Sequence, residues 1–112
     1  MKVYIAGKIT GCPNYKERFY DAEKALNWEG HIALSPADLP EGMTTADYMR
    51  ICFAMIDVAD CVAFLPGWED SPGARLEHAY CVYIDKKTLW LKDYAPYQNQ
   101  TLASCNQDGI SF

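Results

Sequence analysis

The sequence predicts an α/β domain built around a parallel β-sheet. Four short apolar runs alternate with three segments in which apolar residues recur at helical spacing. This alternation is typical of βαβ units, in which a helix connects each strand to the next parallel one. The third run, residues 61–65, is almost wholly apolar, and we therefore expect a central strand that is buried on both faces.

The first strand and the first helix are marked by glycines and by a capping pattern. Residues 2–6 form a β-branched and aromatic run that breaks at a glycine-bounded loop, residues 7–11. Asn14, with Glu17 three residues later, predicts the start of a helix, and Gly30 predicts its end. One stripe of this helix is apolar and should face the core: Tyr15, Phe19, Ala22 and Leu26.

The second strand and the second helix are separated by a loop. The strand is expected over residues 31–34, and residues 35–42 are rich in proline and other structure breakers. Thr44, with Asp47 three residues later, resembles a capping box and predicts the start of the helix. The buried face of this helix is expected to carry Tyr48, Ile51, Cys52, Met55 and Ala59.

The junction after the third strand points to a binding site. Ser71 is a good N-cap and Pro72 a good first residue for a helix over residues 72–84. In a parallel sheet this junction lies at the carboxyl end of a strand, where ligands collect, and the free N–H groups of the helix start favour an anion such as phosphate. A lone carboxylate, Glu77, stands in an otherwise apolar helical row that also contains Ala74, Cys81 and Ile84. That placement indicates a functional role for Glu77.

The C-terminal part of the chain is less regular. Residues 88–91 predict a fourth strand after a turn at residues 85–87. Residues 93–112 show no reliable period, so this tail could form a last strand, a lid or a contact between subunits.

Length and composition limit the possible functions. The 112 residues suffice for one domain with its own core, and we treat residues 1–112 as that domain. The net charge is -5 and the basic residues are scattered, which argues against a surface for nucleic acid polymers. The five cysteines form no CxxC pair, and neither a signal peptide nor a membrane-length apolar run is present. We therefore expect a cytoplasmic protein without a membrane partner.

Two motifs resemble those of the nucleoside 2-deoxyribosyltransferase superfamily. They are KVYIAGKITG at residues 2–11 and GWEDSPGARLE at residues 67–77, and the similarity extends over roughly residues 2–91. The chain looks most similar to a small bacterial and phage branch, related to the 2′-deoxynucleoside 5′-phosphate N-hydrolases. The resemblance implies a flavodoxin-like three-layer fold with a four- to five-stranded parallel sheet, a homodimer or higher homo-oligomer, and N-glycosidic bond chemistry on a small-molecule nucleoside or nucleotide.

The resemblance also assigns roles to individual residues. Glu77 matches a carboxylate nucleophile that attacks the anomeric carbon and forms a covalent glycosyl-enzyme, which a second base or water then resolves. Tyr4 matches a tyrosine that orients this carboxylate. Such a mechanism needs neither a metal nor a cofactor, and the sequence has no cluster with metal-ligand spacing.

A further set of loop residues matches the positions that surround the substrate. The positions beside a 5′-phosphate would be Gly7, Lys8, Ile9, Ser71 and Gly73, with the lysine as a point charge. Trp68 could shield the crevice, stack on the base, or pack on its own domain.

Cys52 departs from the family pattern and leaves the function open. The catalytically studied branches carry an aspartate at the matching position, which protonates or holds the departing base, and a thiol is a poor substitute. A base that is already cationic, as in a nicotinamide-bearing substrate, would need no such acid. We favour an enzyme, an N-glycosidase or deoxyribosyltransferase. The alternatives are a module that binds a nucleotide or nucleotide signal without cleaving it, and an oligomeric interaction protein with a vestigial pocket.

Overall fold

Four parallel strands form the sheet at the centre of the structure, a computed structural model that describes residues 1–92. In chain order the strands are β1 (Lys2–Ala6), β2 (Ile32–Leu34), β3 (Cys61–Phe64) and β4 (Lys87–Trp90). They lie side by side in the order β2-β1-β3-β4, and every neighbouring pair is parallel. This order confirms the predicted parallel sheet and is that of a flavodoxin-like fold. The predicted tail, with its possible roles, lies outside the described residues.

Three α-helices cover the two faces of the sheet. They are α1 (Tyr15–Trp28), α2 (Thr45–Val58) and α3 (Pro72–Tyr83), and short 3-10 turns at Pro36–Asp38 and Trp68–Asp70 lie in the loops. The predicted α-helices and strands are confirmed to within about two residues at each end. None of the helices in residues 1–92 has the length and apolar character needed to cross a bilayer.

The alternation of side chains along the strands creates two separate cores. In β1, Val3 and Ile5 point to one face of the sheet and Tyr4 and Ala6 to the other, because successive strand residues face opposite sides. The first face packs against the predicted stripe of α1, which includes Phe19, Ala22 and Leu26. The second face packs against α2 and α3 through Cys52, Ile56 and Cys81. The result is the three-layer arrangement that the resemblance implied.

Side-chain caps start two of the helices as predicted. Thr44 Oγ1 accepts a hydrogen bond from the Asp47 amide at 3.1 Å, and Ser71 Oγ accepts one from the Ala74 amide at 3.1 Å. Asn14 precedes α1 but makes no side-chain cap, because its backbone (φ -103°, ψ 31°) lies outside the extended region that capping geometry uses.

Two residues assigned to buried helix faces are exposed. Ile51 has 37% of its surface exposed and Ile84 also has 37%. Because α2 turns Cys52 and Ile56 toward the sheet, Ile51, the residue before Cys52, is rotated by roughly 100° toward solvent. Ile84 follows the end of α3, so it no longer continues the row of that helix.

Candidate active site

A cavity of about 580 Å³ opens at the carboxyl edge of the sheet. Its walls come from the loop after β1, the loop between β2 and α2, one face of α2 and the first turns of α3. The lining residues are Tyr4, Gly7, Ile9, Thr10, Tyr15, Pro36, Glu41, Met43, Thr45, Tyr48, Met49, Cys52, Ser71, Pro72, Gly73, Ala74 and Glu77. This is the edge at which open α/β sheets bind ligands.

A buried pair of side chains forms the polar centre of the cavity. The Tyr4 hydroxyl donates a hydrogen bond to Glu77 Oε2 at 2.6 Å, although the two residues are 73 positions apart in sequence. Tyr4 is fully buried and Glu77 is 5% exposed. Two features of the fold bring these residues together. Tyr4 points to the side of the sheet that α2 and α3 cover, and α3 buries Glu77 on the same face as Ala74 and Cys81.

The surroundings of Glu77 shift its ionisation. Burial raises the pKa of the Glu77 carboxyl from 4.5 to about 7, while hydrogen bonds from Tyr4 and Cys52 oppose that rise. The pKa of the Tyr4 phenol lies well above its usual value of 10, because burial disfavours the phenolate and the Glu77 charge adds to that effect. Tyr4 is therefore a donor to the carboxylate. Glu77 can change its charge within the physiological pH range.

Cys52 completes this cluster from α2. Its thiol lies in the cavity lining beside Tyr4 and Glu77, and burial raises its pKa to about 11. The thiol is therefore neutral at physiological pH. It can donate a weak hydrogen bond to Glu77, but it is a poor source of a proton for a leaving group.

The start of α3 supplies backbone groups to the cavity. Ser71, Pro72, Gly73 and Ala74 all line it, and the Ser71 cap holds the first turn of the helix in place. A Cβ at Gly73 would lie 3.8 Å from Met49 Sδ, which is ordinary contact, so the glycine keeps this wall open without being sterically required. The Ser71 amide donates to the Trp68 carbonyl oxygen, the Ala74 amide donates to Ser71 Oγ, and Pro72 has no N–H. The Gly73 N–H is therefore the backbone donor of this turn that could bind an anionic or polar ligand group.

Gly7 is needed for packing as well as for the cavity. A Cβ at Gly7 would lie 2.9 Å from Leu65 Cδ1, closer than real Cβ contacts, and 3.1 Å from Leu65 Cβ, which is tighter than most. A larger residue at this position would therefore force Leu65 or the loop after β1 to shift. Ile9 lies in the same loop and lines the cavity as well.

The structure does not bring two of the predicted site residues to the cavity. Neither Lys8 nor Trp68 is among the lining residues. Lys8 Cε lies over the turn at Gly11, 3.7 Å from the position of a Cβ there. Trp68 instead packs on its own domain, in an aromatic cluster with Phe64, His78 and Trp90 at centroid distances of 4.7 to 5.4 Å. Of the three alternatives for Trp68, packing on its own domain is the one that matches these contacts.

The wall formed by the loop between β2 and α2 was not predicted as part of the site. The Tyr48 hydroxyl donates to the Pro40 carbonyl oxygen at 2.6 Å and accepts from the Met43 amide at 3.3 Å, which fixes this loop on α2. Glu41, in the same loop, pairs with Lys16 of α1 at 3.1 Å. The helical spacing of Tyr48 predicts a core residue, because that spacing carries no information on the loop that packs over α2.

A buried arginine fixes the loop after β3. Arg18 of α1 is 1% exposed, and its Nη2 donates to the Pro66 carbonyl oxygen at 2.9 Å. Because a buried guanidinium needs partners, this contact ties α1 to the loop that leads into α3. A lone arginine in an amphipathic helix gives no sequence signal for such a role.

Together the fold and the cavity define a class of protein, a parallel α/β domain with a buried carboxyl group at the ligand-binding edge of its sheet. Residues 1–90 match the model of a domain of unknown function, DUF4406, and the chain belongs to this family. A comparison with curated proteins found no match. A solved structure of a 2-deoxyribosyltransferase from the psychrotolerant bacterium Bacillus psychrosaccharolyticus superposes with a TM-score of 0.68 at 18% identity, covering 93% of this chain and 81% of that one. The likeness establishes a shared fold.

Within residues 1–92, no three His, Cys, Asp or Glu side chains are grouped closely enough to hold a metal ion.

Proposed function

We propose that this protein breaks N-glycosidic bonds of nucleosides or nucleotides, with Glu77 as the nucleophile. The observation that carries the proposal is the hydrogen-bonded Tyr4–Glu77 pair at the centre of a cavity large enough for such a substrate. The carboxylate attacks the anomeric carbon and the base departs. The glycosyl ester is then resolved by water, as in a hydrolase, or by a second base, as in a transferase.

The electrostatics of Glu77 fit this role. A carboxylate that is 5% exposed is poorly solvated, and its pKa of about 7 leaves a large share of it ionised at neutral pH. The Tyr4 hydroxyl holds one oxygen, Oε2, and thereby orients the carboxyl group. The rest of the lining is mainly apolar or aromatic, which suits a sugar and a planar base.

The fold shared with a 2-deoxyribosyltransferase supports the same reaction class for this chain. Within that class we propose a small-molecule nucleoside or nucleotide as substrate, the start of α3 as the site of any 5′-phosphate, and a homo-oligomer in the cytoplasm. The relation to the N-hydrolase branch is part of the same proposal.

A second candidate function is binding without cleavage. The specific observation in its favour is Cys52, a neutral thiol that stands where a proton donor for the leaving base would be useful. A module of this kind would hold a nucleotide or a nucleotide-derived signal in the same cavity and release it unchanged.

Base release measured by chromatography tests the proposal. Wild type, Glu77→Gln and Glu77→Ala are incubated with a panel of deoxynucleosides, their monophosphates and nicotinamide-bearing nucleosides. Glu29→Gln serves as the matched control, because the Glu29 side chain is 67% exposed and lies at the far end of α1. We expect free base with wild type and the control and none with either Glu77 variant.

Two other results would contradict the proposal. Release that persists in Glu77→Ala would rule out Glu77 as the nucleophile. A compound that binds stoichiometrically to wild type and is recovered intact, with no release from any member of the panel, would favour the binding module. Intact-mass analysis after incubation with a 2-fluoro-2-deoxynucleoside adds a direct test, because a glycosyl adduct should form on wild type and not on Glu77→Gln.

A further inference from the structure

The charged groups of the cavity are all acidic. Among the described residues that line it, Glu41 and Glu77 carry carboxyl groups, and none is a lysine, an arginine or a histidine. Glu77 lies at the centre and Glu41 at the mouth, where its side chain is 73% exposed and paired with Lys16. A cavity lined by carboxyl groups and by no basic side chain favours a cationic ligand over a neutral one. The preference is strongest at Glu77, where burial limits screening by water.

Proton donors for a departing base are also lacking within residues 1–92. Glu77 acts as the nucleophile in the proposed reaction, and the Tyr4 hydroxyl is already donated to it. The Glu41 carboxyl lies at the mouth and is paired with Lys16. The Cys52 thiol has a pKa of about 11, and the remaining lining groups with a transferable proton are hydroxyls, which are much weaker acids than a carboxyl group. A neutral base that must be protonated to leave would therefore receive little help.

From these two observations we infer that the substrates are N-glycosides whose base already carries a positive charge at the glycosidic nitrogen or within the same ring. The inference rests on the proposed function and narrows it. Such a base needs no acid, and its charge is complementary to the ionised carboxyl at the reaction centre.

The reaction balances without a proton donor. A Glu77 oxygen forms a bond to the anomeric carbon, the bond from that carbon to nitrogen breaks, and its electron pair neutralises the ring. Water then attacks the same carbon, the ester bond breaks, and Glu77 is regenerated. Each turnover consumes one water and releases one sugar, one neutral base and one proton to solvent, whereas cleavage of a neutral base releases no net proton.

The walls of the cavity provide a matching surface for a cationic ring. Tyr15 and Tyr48 contribute aromatic side chains, and Met43 and Met49 contribute polarisable thioethers. Aromatic faces attract cations, and thioethers pack well against planar rings.

A matched pair of glycosides tests the inference. Nicotinamide riboside carries a pyridinium, and its 1,4-dihydro form has nearly the same shape and no charge. For each compound kcat/KM is divided by the rate of uncatalysed cleavage, since the cation is intrinsically more labile. We expect the enhancement to be at least about tenfold larger for the cation, because its charge is attracted by the ionised Glu77 carboxylate in a buried, poorly screened site, whereas the neutral form gains neither this attraction nor help from an acid. A pH-indicator assay should detect one proton per nicotinamide.

The outcomes separate this inference from the proposed function. Equal enhancement for the two forms, or a larger enhancement for neutral deoxynucleosides, would overturn the inference and leave the proposed function standing. If no glycoside is cleaved, the proposed function fails. The charge preference is then decided by calorimetry on wild type with N1-methylnicotinamide and nicotinamide, which contain no glycosidic bond. At least tenfold tighter binding of the cation would support the preference, and equal affinity would reject it.

Charge changes at the mouth give a second, independent measurement. Glu41→Gln should raise the KM for nicotinamide riboside two- to threefold, because an exposed carboxylate contributes weakly. Lys16→Gln should lower the same KM, since it frees Glu41 from its partner. Neither variant should change the KM of the dihydro form. Shifts of equal size for both compounds would indicate a steric effect and count against the inference.

Discussion

Replacing Glu77 by glutamine should stabilise the protein at alkaline pH while removing the proposed activity. Burial raises the pKa of this carboxyl from 4.5 to about 7 in the folded state. The folded protein therefore holds a proton that the unfolded chain loses between pH 4.5 and pH 7. The stability contributed by that proton is complete below pH 4.5 and is lost as the pH rises through 7. Glutamine has a similar shape and stays neutral throughout.

The size of the effect follows from the difference in pKa. A shift of roughly 2.5 units at about 1.4 kcal/mol per unit corresponds to about 3 kcal/mol of unfolding free energy. The difference between Glu77→Gln and wild type should be near zero at pH 4, grow between pH 4.5 and 7, and level off at about 3 kcal/mol above pH 8.

Urea denaturation under reducing conditions, followed by tryptophan fluorescence at several pH values, measures this difference. Trp68 packs in an aromatic cluster and should report the loss of tertiary structure. Groups that titrate equally in wild type and Glu77→Gln contribute equally to both unfolding free energies, so the difference between the two reports on Glu77 alone. The unfolding free energy of Glu29→Gln should follow that of wild type at every pH. A constant difference between Glu77→Gln and wild type from pH 4 to pH 9 would refute the account of Glu77 as a buried carboxyl with a raised pKa.

Three further variants examine the surroundings of Glu77. Tyr4→Phe removes a hydrogen bond that lowers the pKa of Glu77, so the acid limb of the pH profile of kcat/KM should move up by about 1 to 2 pH units. An unchanged acid limb would mean that Tyr4 does not act on the nucleophile. Ser71→Ala should lower the unfolding free energy by about 1 kcal/mol in urea titrations and raise KM, because it removes the cap of α3 at the cavity wall; normal stability would contradict the capping role. Cys52→Asp places a carboxyl in the lining, where burial favours its protonated form, and should increase cleavage of neutral nucleosides at least about tenfold over Cys52→Asn. Equal rates for the aspartate and asparagine variants would show that an acid at this position is not what limits neutral substrates.

Much of the fold could be read from local patterns. The apolar run at 61–65 predicted the central strand because a strand buried on both faces tolerates few polar residues. The caps at Thr44 and Ser71 predicted the starts of α2 and α3, since their hydrogen bonds span only three residues. Asn14 shows the limit of such patterns, because its backbone conformation is set by the loop before it and excludes the side-chain cap.

The candidate site was predicted in part. Glu77 was singled out because a carboxylate in an apolar helical row is anomalous in any sequence. The resemblance supplied Tyr4, which no spacing rule could pair with a residue 73 positions away. Lys8 and Trp68 belong to the right loops, but a motif does not determine toward which side of a loop a side chain points.

The sequence by itself determined the alternation of strands and helices, the helix starts and the anomaly at Glu77, because all of these depend on residues within one or two turns of each other. Tertiary structure alone decided the rest. It set the contact between Tyr4 and Glu77, the neutral thiol of Cys52 beside them, the wall fixed by Tyr48 and the acidic character of the cavity. The physical reason is that burial and long-range contacts govern ionisation and cavity shape, and both arise only when distant segments pack against the same edge of the sheet.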